Sequence, residues 1–211
     1  MKRLAIIGSG DLAQQLAYHT QADNQFQVIG FFDDFVPKGE IKNNYPILGK
    51  TSEIESSFKK GIFDCILIGI GYNHLDFRKN IFLQLEGKIP FATFIHSSNL
   101  IDSSVVIREG SIIYAGCNLD MNVKIGKNTI LYNGCVVAHD SKIGAHCIIS
   151  PAVKIAGFCK IGNSVNLGIG TIISDSISLI EKTKTGAGAV VVKSTLEAGL
   201  YIGLPAKLVT L

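Results

Sequence analysis

From Ile101 to Leu179 every sixth residue is Ile, Leu or Val, without a slip. Thr185 breaks the series and Val191 resumes it. A second track runs two residues ahead of each aliphatic and carries small or β-branched residues: Ser111, Cys117, Thr129, Cys135, Ser141, Cys147, Val153, Cys159 and Val165 among them. A glycine directly follows the sixth-position residue at Gly126, Gly144, Gly162, Gly168 and, after Thr185, Gly186. A helix would show a period near 3.6 and an isolated half-buried strand a period of 2. Period six instead predicts a solenoid of short strands, one flat face per hexapeptide, with three faces closing a coil of about 18 residues. Residues 96 to 195 then make five to six coils. The aliphatics stack inside, the small residues sit where the chain turns, and glycine accepts the backbone angles of the corners.

The first half has a different rhythm. An apolar strand at Leu4–Ile7 runs into Gly8-Ser9-Gly10 and a helical stretch from Ala13 to Thr20. A second strand spans Val28–Phe32 and ends in Asp33-Asp34. Thr51 is placed to cap a helix through Lys60, Cys65–Ile70 reads as a third strand, and Leu75–Leu85 as a further helix. Strands alternating with helices predict a small Rossmann-like parallel sheet with crossover helices. The expected domains are residues 1–95 (α/β) and 96–211 (solenoid).

Composition narrows the partners. The net charge is +3, charged residues make up 18% of the chain, and no Lys/Arg run offers nucleic acid a footprint. No stretch approaches the roughly 20 apolar residues of a membrane span. The basic-then-apolar start, Met1 to Gly8, is too short for a secretory signal, so a cytoplasmic protein is expected. Five cysteines without a C-x-x-C pair argue against a disulfide framework and against zinc. His139 and His146 lack a third histidine nearby in the coil stack, so no metal is expected.

Candidate chemistry sits in both halves. Gly8-x-Gly10-x-x-Ala13 follows a strand and opens a helix, the setting in which backbone amides face phosphate. Asp33 and Asp34, some 20 residues on, lie where carboxylates hydrogen-bond a ribose or base. In the solenoid, His139-Asp140 follows the inward Val137, so the imidazole leaves the core beside a carboxylate. Histidine's ordinary pKa of about 6.5 suits a general base near neutral pH. The stretch Gly186-Ala187-Gly188-Ala189 exposes backbone to an extended ligand, and Lys193 and Lys207 offer charge to phosphate.

Taken in order, Gly8-x-Gly10, Gly30-Phe31-Phe32-Asp33-Asp34, Pro46-Ile47-Leu48-Gly49, Ile68-Gly69, His139-Asp140, Gly186-Ala187-Gly188-Ala189 and Gly203-Leu204-Pro205-Ala206-Lys207 resemble the hexapeptide-repeat nucleotide-sugar acyltransferases. Within them the chain is most similar to N-acetyltransferases of nucleotide-linked 4-amino-4,6-dideoxy sugars and to sialic acid O-acetyltransferases. The resemblance implies a left-handed parallel β-helix, a homotrimer with its active site between subunits, and acetyl-CoA as cosubstrate. It implies His139 as base, Asp140 as its orienting partner, and the N–H of Gly157 as the group polarising the thioester carbonyl. It assigns Ala187 and Gly188 to the pantetheine arm, Lys193 and Lys207 to CoA phosphates, and Gly8, Ser9, Gly10, Asp33, Asp34 and Gly69 to the nucleotide sugar. The implied function is N-acetylation of an amino-deoxy sugar in surface glycan biosynthesis. O-acetylation of a sugar hydroxyl and a non-catalytic nucleotide-sugar-binding trimer stand as alternatives. The chain departs from the family pattern at Leu12, Tyr132 and Ile148.

Overall fold

A computed structural model describes residues 1–209; the last two residues of the expected solenoid domain lie outside that range. The chain divides into two compact units, the first ending at Phe94 and the second starting at Ile95, one residue before the expected division.

In the first unit, β1 (Lys2–Ile7), β2 (Phe26–Phe32), β3 (Ile41–Lys42), β4 (Tyr45–Gly49) and β5 (Cys65–Ile68) form one sheet in the order β3-β4-β2-β1-β5. All pairings are parallel except β3 with β4. Leu4 to Ile7 are completely buried, as a strand covered on both faces requires. Helix α1 (Asp11–Ala22) presents Ala13, Leu16, Ala17 and Thr20 to that core, an i, i+3, i+4, i+7 stripe. Helix α2 (Ile54–Lys59) follows a 3-10 turn at Thr51–Glu53, and α3 (Leu75–Leu85) has the bounds read from the sequence. Two local readings change. Thr51 does not cap a helix; its N–H and hydroxyl donate to Asp34 while the N–H of Lys50 donates to Glu53. And β3–β4 is a hairpin that the sequence reading passed over. Its turn is Asn43-Asn44 with φ of 47° and 69°, the two left-handed residues of a tight two-residue hairpin.

The second unit is a hexapeptide-repeat β-helix. Two-residue strands recur every six residues and build three sheets of eight, six and five strands, parallel except where the eight-stranded sheet ends in Leu200–Gly203 and its antiparallel neighbour Ala206–Leu208. Partners among the two-residue strands are 18 residues apart, as in Asn118↔Val136 and Lys124↔Lys142. The second residue of each strand points inward, and Leu119, Ile125, Leu131, Val137, Ile143 and Ile149 are all buried in one continuous core.

Three devices make the corners. First, every sixth residue from Gly110 to Gly188 has φ between 52° and 74°, including non-glycines such as Asn122, Asp140, His146, Phe158 and Lys182. Second, from Gly116 on the N–H of these residues reaches the coil before: Asp140 donates to the carbonyl of Met121, Phe158 to that of His139, and Ser176 to that of Gly157. Third, the small-residue track is a line of hydrogen-bond donors. Ser111, Thr129 and Ser141 each donate at 2.8 Å to the carbonyl 15 residues on, and Cys147 and Cys159 do so at 3.1 and 3.2 Å. The cysteines are therefore more than small apolar filler. All five are free and buried. Burial pushes the thiols of Cys65 and Cys147 up to about 11 and about 12, so they stay protonated and unreactive.

The glycines divide into two kinds. Gly116, Gly134, Gly170 and Gly188 occupy left-handed corners. Those that directly follow the aliphatic do not; they are required by space. A Cβ on Gly144 would lie 2.6 Å from Asn163 Oδ1 and 2.7 Å from the backbone carbon of Gly162. On Gly134, φ +70°, it would meet nothing within 4 Å. Gly144→Ala is accordingly expected to cost more than about 3 kcal/mol, since packed backbone must move, and Gly134→Ala only about 1 kcal/mol of left-handed strain. Urea midpoints of the two variants measure the difference.

In the first unit, the Arg3 guanidinium and backbone N–H both donate to Asp64 and hold its carboxyl at about 2. A carboxyl held below its unfolded value contributes stability that is present above roughly pH 4 and fades as pH falls toward 2. The stability difference between wild type and Asp64→Asn is expected to follow that course in acid titration.

Candidate active site and nucleotide site

The first group of functional candidates gathers at the C-terminal ends of β1, β2 and β5. Gly8 adopts φ +90° and donates its N–H to the carbonyl of Phe32. A Cβ on Gly69 would lie 2.6 Å from the Cα of Ala13, so glycine is needed there for α1 to approach the sheet. Ser9 gives both its N–H (2.9 Å) and its hydroxyl (2.7 Å) to Asp33 Oδ2. Asp33 Oδ1 accepts the N–H of Phe35, and Asp34 accepts two donors from Thr51. Both carboxylates thus hold the loops that frame the glycine turn, a task the sequence reading did not foresee for them. Arg78, 1% exposed, donates to the carbonyls of Ile68 and Ile70 on either side of Gly69 and fixes that loop from below. Nothing in the spacing of Arg78 marks it; only its burial does.

The second group lies at the corner of the β-helix that follows each strand of the six-stranded sheet. This corner repeats every 18 residues as Met121, His139, Gly157 and Asp175. His139 Nδ1 lies 3.1 Å from Asp140 Oδ2, and Asn122 donates to the other Asp140 oxygen at 3.1 Å. Asp140 sits at φ +58°, which turns its side chain back along the corner. With Nδ1–H donating to the carboxylate, Nε2 carries the lone pair. That nitrogen faces Gly157: a Cβ there would lie 2.9 Å from it. Gly157 is not at a positive φ, so glycine serves here to leave room beside the imidazole. Ser141 clamps the facing coil, donating to Ala156 O at 2.8 Å and accepting from Cys159 N at 3.0 Å, on either side of Gly157 and Phe158. Among the described residues the N–H of Gly157 has no hydrogen-bond partner. Phe158, 54% exposed at φ +57°, sets its ring edge-on to His139 with centroids 5.0 Å apart.

The remaining candidates are not all at this corner. Lys193 is exposed, three residues past Val190 as Asp175 is three past Ile172, so it continues the His139 column. Ala187 and Gly188 belong to the preceding corner of the coil, where they are exposed and a Cβ on Gly188 would meet nothing within 4 Å. Lys207 is exposed on Ala206–Leu208, a strand antiparallel to Leu200–Gly203. His146 lies close to Asn128, with 3.0 Å between its Nδ1 and the amide nitrogen. Among the described residues no group of three or more His, Cys, Asp or Glu could hold a metal ion, and no helix is long and apolar enough to cross a membrane.

Comparison with known proteins matches this architecture. Residues 3–85 match the family described as PglD N-terminal domain, and residues 122–157 the family described as bacterial transferase hexapeptide (six repeats). A variant of the perosamine N-acetyltransferase from Caulobacter crescentus, solved with CoA and GDP-perosamine, is 25% identical with a TM-score of 0.92, over 100% of this chain and 98% of that one. The acetyltransferase domain of PglB from Neisseria gonorrhoeae, solved with acetyl coenzyme A, is 25% identical with a TM-score of 0.89, over 99% of each chain. WeeI from Acinetobacter baumannii, 24% identical with a TM-score of 0.86 over 99% of this chain and 100% of that one, shares the fold. The resemblance read from the sequence, to the hexapeptide-repeat nucleotide-sugar acyltransferases, is borne out.

The arrangement at His139 requires one tautomer. In the wild type ¹⁵N NMR is expected to show neutral His139 with Nδ1 protonated and Nε2 bare. In Asp140→Ala the two tautomers should mix.

Proposed function

We propose that this hexapeptide-repeat acyltransferase moves the acetyl group of acetyl-CoA onto the amino group of a nucleotide-linked amino-deoxy sugar, in the cytoplasm, as a step of surface glycan synthesis. The observation that carries the reading is the corner where Nε2 of His139, the ring nitrogen turned away from Asp140, faces a glycine whose N–H has no partner among the described residues. A base and an oxyanion donor on successive coils are what attack on a thioester needs.

In this reading His139 Nε2 takes a proton from the sugar's amino nitrogen, and the carboxylate of Asp140 stabilises the imidazolium that forms. The nitrogen attacks the thioester carbonyl carbon. The C–N bond forms as the C–S bond breaks, and the proton passes on to the departing sulfur. The N–H of Gly157 donates to the carbonyl oxygen as negative charge builds there. Ala187 and Gly188 contact the pantetheine arm through backbone groups. Lys193 lies three coils from His139, about 14 Å along the axis at the usual strand spacing, a reach that suits a CoA phosphate; Lys207 is a second candidate. Gly8, Ser9, Gly10, Asp33, Asp34 and Gly69 hold the nucleotide sugar.

Since His139 and Ala187-Gly188 lie at different corners of the β-helix and nearly three coils apart, a groove between neighbouring β-helices would bring both against one extended ligand. Leu100, Val136 and Ile172, outward on the intervening sheet, are exposed apolar residues that such a neighbour would cover. The reading includes a homotrimer with its sites shared between subunits.

The test is thiol release from acetyl-CoA with UDP-, dTDP- and GDP-linked 4-amino sugars. Turnover is expected with at least one of them, and His139→Ala should lower kcat about 100-fold or more, in line with loss of a general base. Full activity in that variant would remove His139 from the mechanism, and failure of the wild type to bind CoA in calorimetry would remove the reaction.

A further inference from the structure

The corner column that supplies His139 and Gly157 continues one coil further to Asp175, and this third residue has an anomalous chemistry for its place. The point at which a Cβ on Gly157 would sit lies 2.9 Å from His139 Nε2 and 3.2 Å from Asp175 Oδ1. The two atoms are therefore no more than about 6 Å apart, the span of two hydrogen bonds of about 3 Å meeting on one nitrogen. The missing side chain of Gly157 leaves a slot with a base on one wall and a carboxylate on the other. The backbone locks both walls: the carbonyl of His139 accepts the N–H of Phe158, and that of Gly157 accepts the N–H of Ser176 at 2.9 Å. Ser176 Oγ donates to Asp175 Oδ2 at 2.7 Å, which pins the carboxylate and leaves Oδ1 toward the slot. Asp175 is exposed and has no ion pair among the described residues, so its charge is available to a ligand.

We propose that Asp175 is a specificity-determining residue that accepts a hydrogen bond from the acceptor's amino group and selects an amine over a hydroxyl. This rests on the acyltransfer reading above and deepens it. A carboxylate at that distance favours a group that is cationic when it binds and that carries positive character as it attacks carbon. A sugar hydroxyl offers neither. An amine bound as its cation first gives one proton to solvent, which restores the lone pair; the next leaves for His139 Nε2, since Asp175 only accepts a hydrogen bond, and the remaining N–H stays with the carboxylate. Phe158 sets an apolar ring edge-on to His139 beside this slot.

The experiment compares wild type with Asp175→Asn, an isosteric change at an exposed position that keeps an acceptor for Ser176. Acetyl transfer and calorimetric binding are measured with UDP-, dTDP- and GDP-linked 4-amino sugars and with their 4-hydroxy counterparts, with CoA binding as the folding control. The wild type is expected to favour the amino sugar. In Asp175→Asn, KM and Kd for the amino sugar should rise about tenfold or more, while Kd for the hydroxy sugar and for CoA stays unchanged. The amino-to-hydroxy preference should collapse accordingly. An unchanged preference in the variant, or equal losses for both sugars, overturns the role of Asp175 and leaves the enzyme reading intact. A wild type that prefers the hydroxy sugar overturns it as well. A wild type that acetylates neither sugar removes the acceptor reading itself, and the role of Asp175 with it.

Discussion

The structure of the second unit depends on one constraint, the 18-residue register that stacks like corner on like corner. It is enforced by backbone geometry more than by side chains. A left-handed residue every six positions turns the chain, and from Asn128 on its N–H binds a carbonyl of the coil before. Ser, Thr and Cys on the inner track add a bond to the carbonyl 15 residues on. A left-handed conformation costs most residues roughly 1 kcal/mol or more, so Phe158 or Lys182 at such a corner is tolerated only because neighbouring coils over-determine it. In the proposed reaction the stack serves as the rigid scaffold: it fixes His139, Gly157 and Asp175 at successive heights of one edge, with no loop entropy between them.

Much of this was legible in the sequence. Period six in Ile, Leu and Val specifies the coil, and adding 18 to His139 gives Gly157. The same step leads on to Asp175, yet nothing in one-dimensional spacing shows that its carboxylate lies within reach of the slot. That depends on Ser176 holding one oxygen and on the absent side chain at Gly157. The glycines were legible only in part. A glycine after an aliphatic suggests unusual angles, but Gly126, Gly144 and Gly162 are there because the next coil's backbone comes within 3 Å of a would-be Cβ. The cysteines belong to the small-residue track by spacing, but spacing does not show that in the coil their sulfurs face carbonyls at 3.1 to 3.3 Å.

In the first unit the alternation of strand and helix was plain, since buried β1 and the α1 stripe follow their periods. The Asn43-Asn44 hairpin was passed over because its strands are short and one begins Tyr45-Pro46. Asp33 and Asp34 lie where the spacing put them, but their first partners are protein groups. Asp33 neutralises donors of Ser9 within the glycine turn, so a nucleotide there would meet a turn already braced by an internal carboxylate. Carboxylate oxygens retain acceptor capacity after one or two bonds, so bracing and ligand contact are compatible on the same side chain.

The central claim is that the His139 corner is where the acyl group reacts. The most direct measurement is a crystal structure of the protein with a non-hydrolysable acetyl-CoA analogue and a nucleotide-linked amino sugar. The account predicts the acyl carbonyl oxygen about 2.7 to 3.1 Å from the N–H of Gly157, with the sugar nitrogen between His139 Nε2 and Asp175. An acyl carbonyl bound at another corner, or one accepting its hydrogen bonds from groups other than Gly157, would contradict it.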